Sequence, residues 1–384
     1  MKTEEYANIH RTYAEIDLDA IRKNGRIAKE VFAEQRVLFV MKANAYGHGI
    51  EGILSAAESF ADEYAVATVE EGLAVRKGTK KPVLLFGPVP EGKMVSAAEA
   101  GLSFTVGSAD YAERLSRVLG ERGLSAECQL KIDTGLNRSG VRFWGEDEGL
   151  SEIRSIHSHD NLTFRGTYTH FACGEGEEGW ERDFTTLQYE RFMKALDRME
   201  EEGLSVGIRH CTSTGGSLVR REYRMDMVRL GMMPLGMSYS NESVRTLGLS
   251  SVLTWKSFVA QIKHLEAGDA VSYGCTFRAE GPMRIGLVTC GYADGYRRAY
   301  SGKAFVLVRG KRVRVLGRIA MDYMMIDLSD LPEAGVGESV TLLGEDGDEW
   351  ISTQEISDWG ESVSGEVTAA ISGRVPRIYV AKGE

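Results

Sequence analysis

One lysine closes an apolar run. Val37-Leu-Phe-Val-Met41 is followed by Lys42 and then by the turn-rich stretch Ala-Asn-Ala-Tyr46-Gly-His-Gly. So short an apolar run between polar flanks reads as a buried strand. A lysine on the C-terminal lip of such a strand is partly desolvated, which favours the neutral amine and suits it to act as nucleophile or base. Taken alone, a strand-end lysine more often just reaches for solvent. Here several other chemical side chains also follow short apolar runs: Lys131 with Asp133, His170, the run Cys211-Thr-Ser213-Thr214-Gly-Gly, and Arg229 followed by Gly231. Hydroxyls and backbone N–H groups beside a close-approach glycine suit a phosphate. Serine, threonine and glycine clusters are ordinarily plain loops, and a lone histidine is ordinarily structural. Their joint placement at strand ends favours a site for an anionic, carbonyl-bearing cofactor.

The elements that must position these groups are legible as a pattern. Short apolar runs at Val37–Met41, Tyr64–Ala67, Val83–Phe86, Phe104–Val106, Cys128–Ile132, Thr163–Thr169, Gly207–His210 and Met225–Arg229 alternate with amphipathic stretches such as Ala109–Leu119 and Thr186–Met199. Alternation of this kind predicts parallel strands joined by right-handed helical crossovers. The expected architecture is α/β: an N-terminal (β/α)8, TIM-like barrel over residues 13–242, with its reactive groups at the strands' C-terminal ends. After residue 243 the runs become Val/Ile/Leu-rich and are separated by Gly and Asp turns, which predicts a mostly antiparallel β domain over 243–384. Residues 1–12 are expected to pack on that domain, and the boundary is expected near Ser240–Thr246.

Composition narrows the function. The 384 residues carry 46 lysines and arginines against 56 acidic residues, a formal net charge of -10. A surface of that sign repels nucleic-acid phosphates and anionic lipid. The start of the chain, Met-Lys-Thr-Glu-Glu-Tyr, has no apolar core for export. Five scattered cysteines read as free thiols in a reducing compartment, so cytoplasm is expected. No metal site is expected.

The chain resembles the bacterial alanine racemases, pyridoxal 5'-phosphate (PLP) enzymes built of a barrel and a β domain. The resemblance rests on Lys42-Ala-Asn-Ala-Tyr46-Gly-His-Gly, Lys131-Ile-Asp-Thr-Gly-Leu-Asn-Arg138, Tyr168-Thr-His170, Val228-Arg229-Leu-Gly231, Ser272-Tyr273-Gly, Gly291-Tyr292-Ala-Asp-Gly-Tyr296, Gly317-Arg-Ile-Ala-Met321-Asp322 and Arg374-Val-Pro-Arg377, in family order. It implies racemisation of a small amino acid, L-alanine to D-alanine first, with PLP attached to Lys42. Lys42 would then act as the base on one face and Tyr273, from the partner subunit of a homodimer, on the other. A free tyrosine titrates near ~10, so a neighbouring positive charge, Arg138, is expected to favour its phenolate. Arg229 would face the pyridine nitrogen with His170 hydrogen-bonded behind it, and arginine keeps its proton. Tyr46, Ser213, Thr214, Gly231 and Met232 would hold the phosphate. Arg138 would lie near the cofactor's phenolic oxygen and the substrate carboxylate, and Tyr292, Met321 and Asp322 would serve the substrate. Lys131 matches a lysine that is carbamylated in many family members.

The chain departs from the family in places. Ser213-Thr214 stands where Asn-Ser is common, Ala320 precedes Met321 in place of cysteine, and Leu235 takes the place of a tyrosine. Gly365 stands where many members carry a tyrosine beside the phosphate and the pocket for alanine's methyl group. A missing aromatic wall implies tolerance of serine or other amino acids, since an added hydroxymethyl is weakly discriminated unless the site excludes it. A PLP decarboxylase of the same architecture would be expected to place an acid where Arg229 stands. A non-catalytic PLP carrier on a lone barrel would lack the second domain and Tyr273.

Overall fold

The computed structural model describes residues 10–145, 147–237 and 241–381. They fall into two compact units. One comprises Gly25–Ala45 and Leu54–Pro234; the other comprises the described residues up to Asn24, the segment Tyr46–Ile53, and those from Leu235 onward.

The first unit is built on eight parallel strands, in the spatial order Met227–Leu230, Arg36–Val40, Glu63–Val66, Val83–Leu85, Ser103–Val106, Ala126–Asp133, Leu162–Tyr168 and Ile208–His210. The two ends of the sheet meet where Asp226 N–H donates to Arg209 O (3.1 Å) and Arg229 N–H donates to Thr212 O (3.3 Å), closing a TIM-like barrel. The sequence dictates this arrangement locally. Arg36–Val40 buries four residues in a row, as a strand covered on both faces must. Helix Ala109–Gly120 starts where Ser108 Oγ accepts Tyr111 N–H, and it turns Tyr111, Ala112, Leu115 and Leu119 inward at helical spacing. All eight expected strands form, with ends shifted by a residue or two.

The second unit carries a nine-stranded, mostly antiparallel sheet centred on the thirteen-residue strand Leu253–Leu265. Thr12–Asp17 pairs antiparallel with that strand and parallel with Arg377–Val380. Expectation and structure differ here. The expected barrel segment starts at residue 13, but this first strand hydrogen-bonds into the second sheet, and the first barrel strand is Arg36–Val40. The other end differs too, because the barrel unit stops at Pro234. Gly236 (φ +69°) then lies so close to Ser250 that a Cβ there would stand 2.1 Å from the Ser250 carbonyl oxygen. Of the segment 1–12, residues 1–9 lie outside the described residues, as do 238–240 at the expected domain boundary. Among the described residues no helix is long and apolar enough to cross a membrane.

Candidate active site

Lys42 leaves the strand Arg36–Val40 into a left-handed turn, with φ of 53°, 53°, 55° and 50° at Ala43, Asn44, Ala45 and Tyr46. Each non-glycine residue held this way costs about 1–2 kcal/mol, so something must hold the turn. Ala45 N–H donates to Met41 O (2.8 Å) and Met41 N–H to Ala65 O (2.7 Å). Glu71 adds a tether. Its Oε1 accepts Asn44 N–H (3.1 Å), while its Oε2 completes the capping box with Thr68 at the start of helix Val69–Arg76. Much of Lys42 is exposed by surface area, yet its amine end is crowded, and a long side chain can be both. Desolvation holds the amine below the ordinary lysine value. The charge of Arg138 lowers it further, Glu71 pulls it up and Arg229 pulls it down. That is the condition for a reactive amine.

Arg229 is buried at the end of its strand and anchored on four acceptors. It donates to His210 Nδ1, His170 Nδ1, Thr169 O and Cys211 O, each at 2.9 Å. Burial pushes the guanidinium down to about 10, still far above neutrality, so it stays a cation. Both histidines are driven well below the usual imidazole value, by desolvation first and then by the charge of Arg229. Because His210 Nδ1 accepts from Arg229, the proton of its neutral ring sits on Nε2, 2.7 Å from Gln129 Oε1. Its ring stacks on Tyr168 at 4.8 Å and 12°.

Lys131 is buried, donates to Ser139 Oγ at 2.6 Å, and has its amine lowered to about 8 by desolvation and by the charges of Arg138 and Arg229. Arg138 itself is exposed on the loop after the strand Ala126–Asp133. That loop is shaped by Asp133, whose Oδ1 accepts Gly135 N–H (2.9 Å) and Asn137 N–H (3.1 Å). After the strand Ile208–His210, Thr214 Oγ1 accepts Gly231 N–H at 3.2 Å, so that N–H is already committed and the Thr214 hydroxyl proton remains to donate. Ser213 Oγ donates instead to Glu175 Oε1 at 3.0 Å. Met232, next to Gly231 after the strand Met227–Leu230, is buried.

The remaining expected residues belong to the second unit. Tyr46 is desolvated, which pushes its phenol up to about 12, and a Cβ on Gly365 would lie 3.3 Å from its ring. Tyr273 stands 68% exposed, Tyr292 41% and Met321 52%, so in a single chain all three lack cover. Their loops are joined: Tyr292 N–H donates to Ala320 O and Ala293 N–H to Met321 O, both at 3.0 Å, and Ser272 Oγ donates to Arg318 O. Asp322 was expected at the substrate. Its carboxylate accepts from Arg374 at 2.7 Å and lies 3.8 Å from Arg11, so here it ties loops together. Asp294, fully buried, pairs with Arg11 and accepts Gly291 N–H at 3.0 Å, fixing the turn that bears Tyr292.

Comparison with known proteins decides the family. The family description "alanine racemase, N-terminal domain" matches residues 16–239, and "alanine racemase, C-terminal domain" matches 252–379. The chain belongs to the alanine racemase family. It is 36% identical over 373 residues to the alanine racemase of Desulforamulus reducens, covering 96% of this chain and 98% of that one. It is also 36% identical to the alanine racemase of Symbiobacterium thermophilum, covering 96% and 97%. Among solved structures, alanine racemase from the D-cycloserine producer Streptomyces lavendulae superposes with a TM-score of 0.90 at 32% identity, over 97% of this chain and 98% of that one. The Bacillus anthracis alanine racemase with bound L-Ala-P gives 0.88 at 33% identity, over 98% and 96%. The protein is therefore an enzyme, an isomerase of the racemase type, and family members depend on PLP. Residues of the site that sequence reading passed over are Glu71, Gln129, Glu175, His210 and Asp294. Only His210, at the end of an expected strand, carried a usable signal.

Proposed function

We propose that this chain interconverts L- and D-alanine with bound PLP, using Lys42 and Tyr273 as the two proton-handling groups. The observation that carries the reading is Arg229, a buried cation fixed on four acceptors and flanked by two neutral histidines. The residues present fit the cofactor. Lys42, with its lowered pKa, would hold it covalently; Arg229 would face the ring nitrogen without surrendering a proton. Thr214 and the Met232 backbone would meet the phosphate, as would Tyr46, whose raised pKa keeps it a neutral donor. When bound, PLP supplies a sink for the electrons of the substrate's broken α-C–H bond. Inverting that centre needs a proton taken on one side and returned on the other, which a single group does poorly. Lys42 has the amine for one side and Tyr273 the phenol for the other.

The exposed Tyr273, Tyr292 and Met321, linked through their loops, support a homodimer in which each chain's second unit completes its partner's site. Arg138, near enough to lower both Lys42 and Lys131, would take the substrate carboxylate. Lys131 would hold Arg138 as a carbamate. The five cysteines are free, in keeping with cytoplasmic residence. The lack of a side chain at Gly365, where a Cβ would stand 3.3 Å from the Tyr46 ring, favours a second reading, in which serine is also turned over. The deciding experiment is purified protein with PLP and L-alanine, followed by chiral chromatography. Formation of D-alanine by the parent and none by Lys42→Ala is expected; no D-alanine from PLP-loaded parent refutes the proposal.

A further inference from the structure

The left-handed turn ends at Tyr46, and the chain just beyond it is gripped by a segment more than three hundred residues away in sequence. Arg377 Nε donates to Gly47 O at 2.8 Å. The rest of its fork holds Ser372 O (2.6 Å), Val375 O (2.7 Å) and Ile371 O (2.6 Å). All its acceptors among the described residues are backbone carbonyls. A half-buried guanidinium spent on carbonyls alone is chosen for its fixed geometry, since five donors in a rigid fork can tie several strands of backbone together. Next to it the Tyr379 hydroxyl donates to His48 O at 3.1 Å. The Tyr379 side chain fills the space that a Cβ would need at Gly49 or Gly52, which would lie 1.9 Å from its hydroxyl oxygen and 1.9 Å from its ring, respectively. On the other side, a Cβ on Gly47 (φ +82°) would stand 2.0 Å from Thr368 O. The two residues after Tyr46 are thus pinned on both sides, and both of their carbonyls are taken.

We propose that Arg377 and Tyr379 form a latch that holds the strained turn in the one conformation presenting Tyr46, and through the turn Lys42, to the cofactor. They are positioning residues, since neither needs to touch PLP. The inference rests on the reading that this turn holds PLP. A latch acts on the population of the competent turn. If loosening it leaves the turn competent about one-tenth of the time, the apparent cofactor affinity falls about tenfold with no contact to cofactor lost.

The test compares full-length parent, Arg377→Gln, Arg377→Lys and Tyr379→Phe. It measures PLP affinity by equilibrium dialysis and amide hydrogen exchange of the apoprotein. Expected for Arg377→Gln is a PLP dissociation constant raised on the order of tenfold, with faster exchange confined to peptides spanning 42–53. Arg377→Lys keeps the charge but lacks the fork, so it restores the affinity only in part; Tyr379→Phe keeps the ring and loses less. Parent-like affinity and exchange in Arg377→Gln overturn the latch. So does exchange that rises equally in the strands Leu162–Tyr168 and Met283–Val288, because that marks general destabilisation. Borohydride reduction of the parent with PLP, followed by peptide mass analysis, tests the underlying reading separately through a Lys42 adduct. Should that adduct be missing, the exchange arm still decides the latch.

Discussion

His210 is wholly buried, held neutral between Arg229 and Gln129, and this makes stability depend on pH in a calculable way. Unfolded, a histidine titrates near ~6.5; folded, His210 lies well below that. Between those two values the unfolded chain binds a proton that the folded chain does not. Stability is therefore fully present above ~6.5 and is lost as pH falls, by about 1.4 kcal/mol per pH unit for each such group. His170 is depressed in the same direction, so the pair makes the slope roughly 2.7 kcal/mol per unit. His210→Gln is the informative substitution. Its amide oxygen can accept from Arg229 and its NH2 can donate to Gln129, and it does not titrate. Urea unfolding at pH 7.5 and pH 5.5 should show the parent losing about 1.4 kcal/mol more than the variant, the share of one histidine over the one unit below ~6.5. Equal losses in the two proteins would refute the claim that His210 is a neutral acceptor for Arg229.

Other outcomes follow from the site. Mixing Lys42→Ala with Tyr273→Phe and reassembling the dimers should recover about a quarter of parental activity, because half the dimers are mixed and each of those has one intact site; no recovery would place both groups in one chain's own site. Gly365→Tyr should raise the preference for alanine over serine on the order of tenfold, read as a ratio of kcat/KM values, whereas an unchanged ratio would free Gly365 from specificity. Lys131, at about 8, has roughly one amine in ten neutral at pH 7 and nine in ten at pH 9. A carbon-dioxide adduct on Lys131 that grows with bicarbonate and pH is the expected mass-spectrometric result. Lys131→Ala should raise KM several-fold more than it lowers kcat, since it loosens Arg138 and leaves Lys42 in place.

The barrel was legible because its strands are short, continuously apolar and separated by helical periods; burial on both faces writes that pattern directly into sequence. Within the candidate site, Lys42, His170, Thr214 and Arg229 stand out in the sequence because chemical side chains at strand ends are conspicuous. Three things were not legible. The expected barrel range begins at residue 13 because local patterning does not say which sheet a segment joins; the partners of Thr12–Asp17, Leu253–Leu265 and Arg377–Val380, lie far along the chain. Glu71 and Asp294 do their work through backbone N–H groups, at Asn44 and Gly291, and no spacing rule announces such bonds. The left-handed turn at 43–46 runs against the ordinary preferences of Ala43, Ala45 and Tyr46, so intrinsic propensity pointed elsewhere. Local rules fail where the site needs backbone that only distant contacts can hold.

The network around Arg229 also bears on why a chain with this lysine and phosphate loop should racemise rather than do some other PLP chemistry. A guanidinium has five N–H groups. Here Nη2 serves His170, Thr169 and Cys211, and Nη1 serves His210, which leaves an Nη1–H and the Nε–H that would be available to the ring nitrogen of a bound PLP. Neither can be transferred, because the cation keeps its proton, and the histidines behind it accept hydrogen bonds as neutral rings and have no proton to pass forward. A ring nitrogen that is hydrogen-bonded but not protonated withdraws electrons weakly. With PLP bound there, the fixed Arg229 cation would favour return of the proton to the substrate's α-carbon over elimination or transamination. Replacing Arg229 with a carboxylic acid would supply the missing proton while leaving Lys42 untouched. On the proposed reading, the four hydrogen bonds that fix Arg229 would set the reaction specificity, and Lys42 and Tyr273 would decide only from which side the proton comes back.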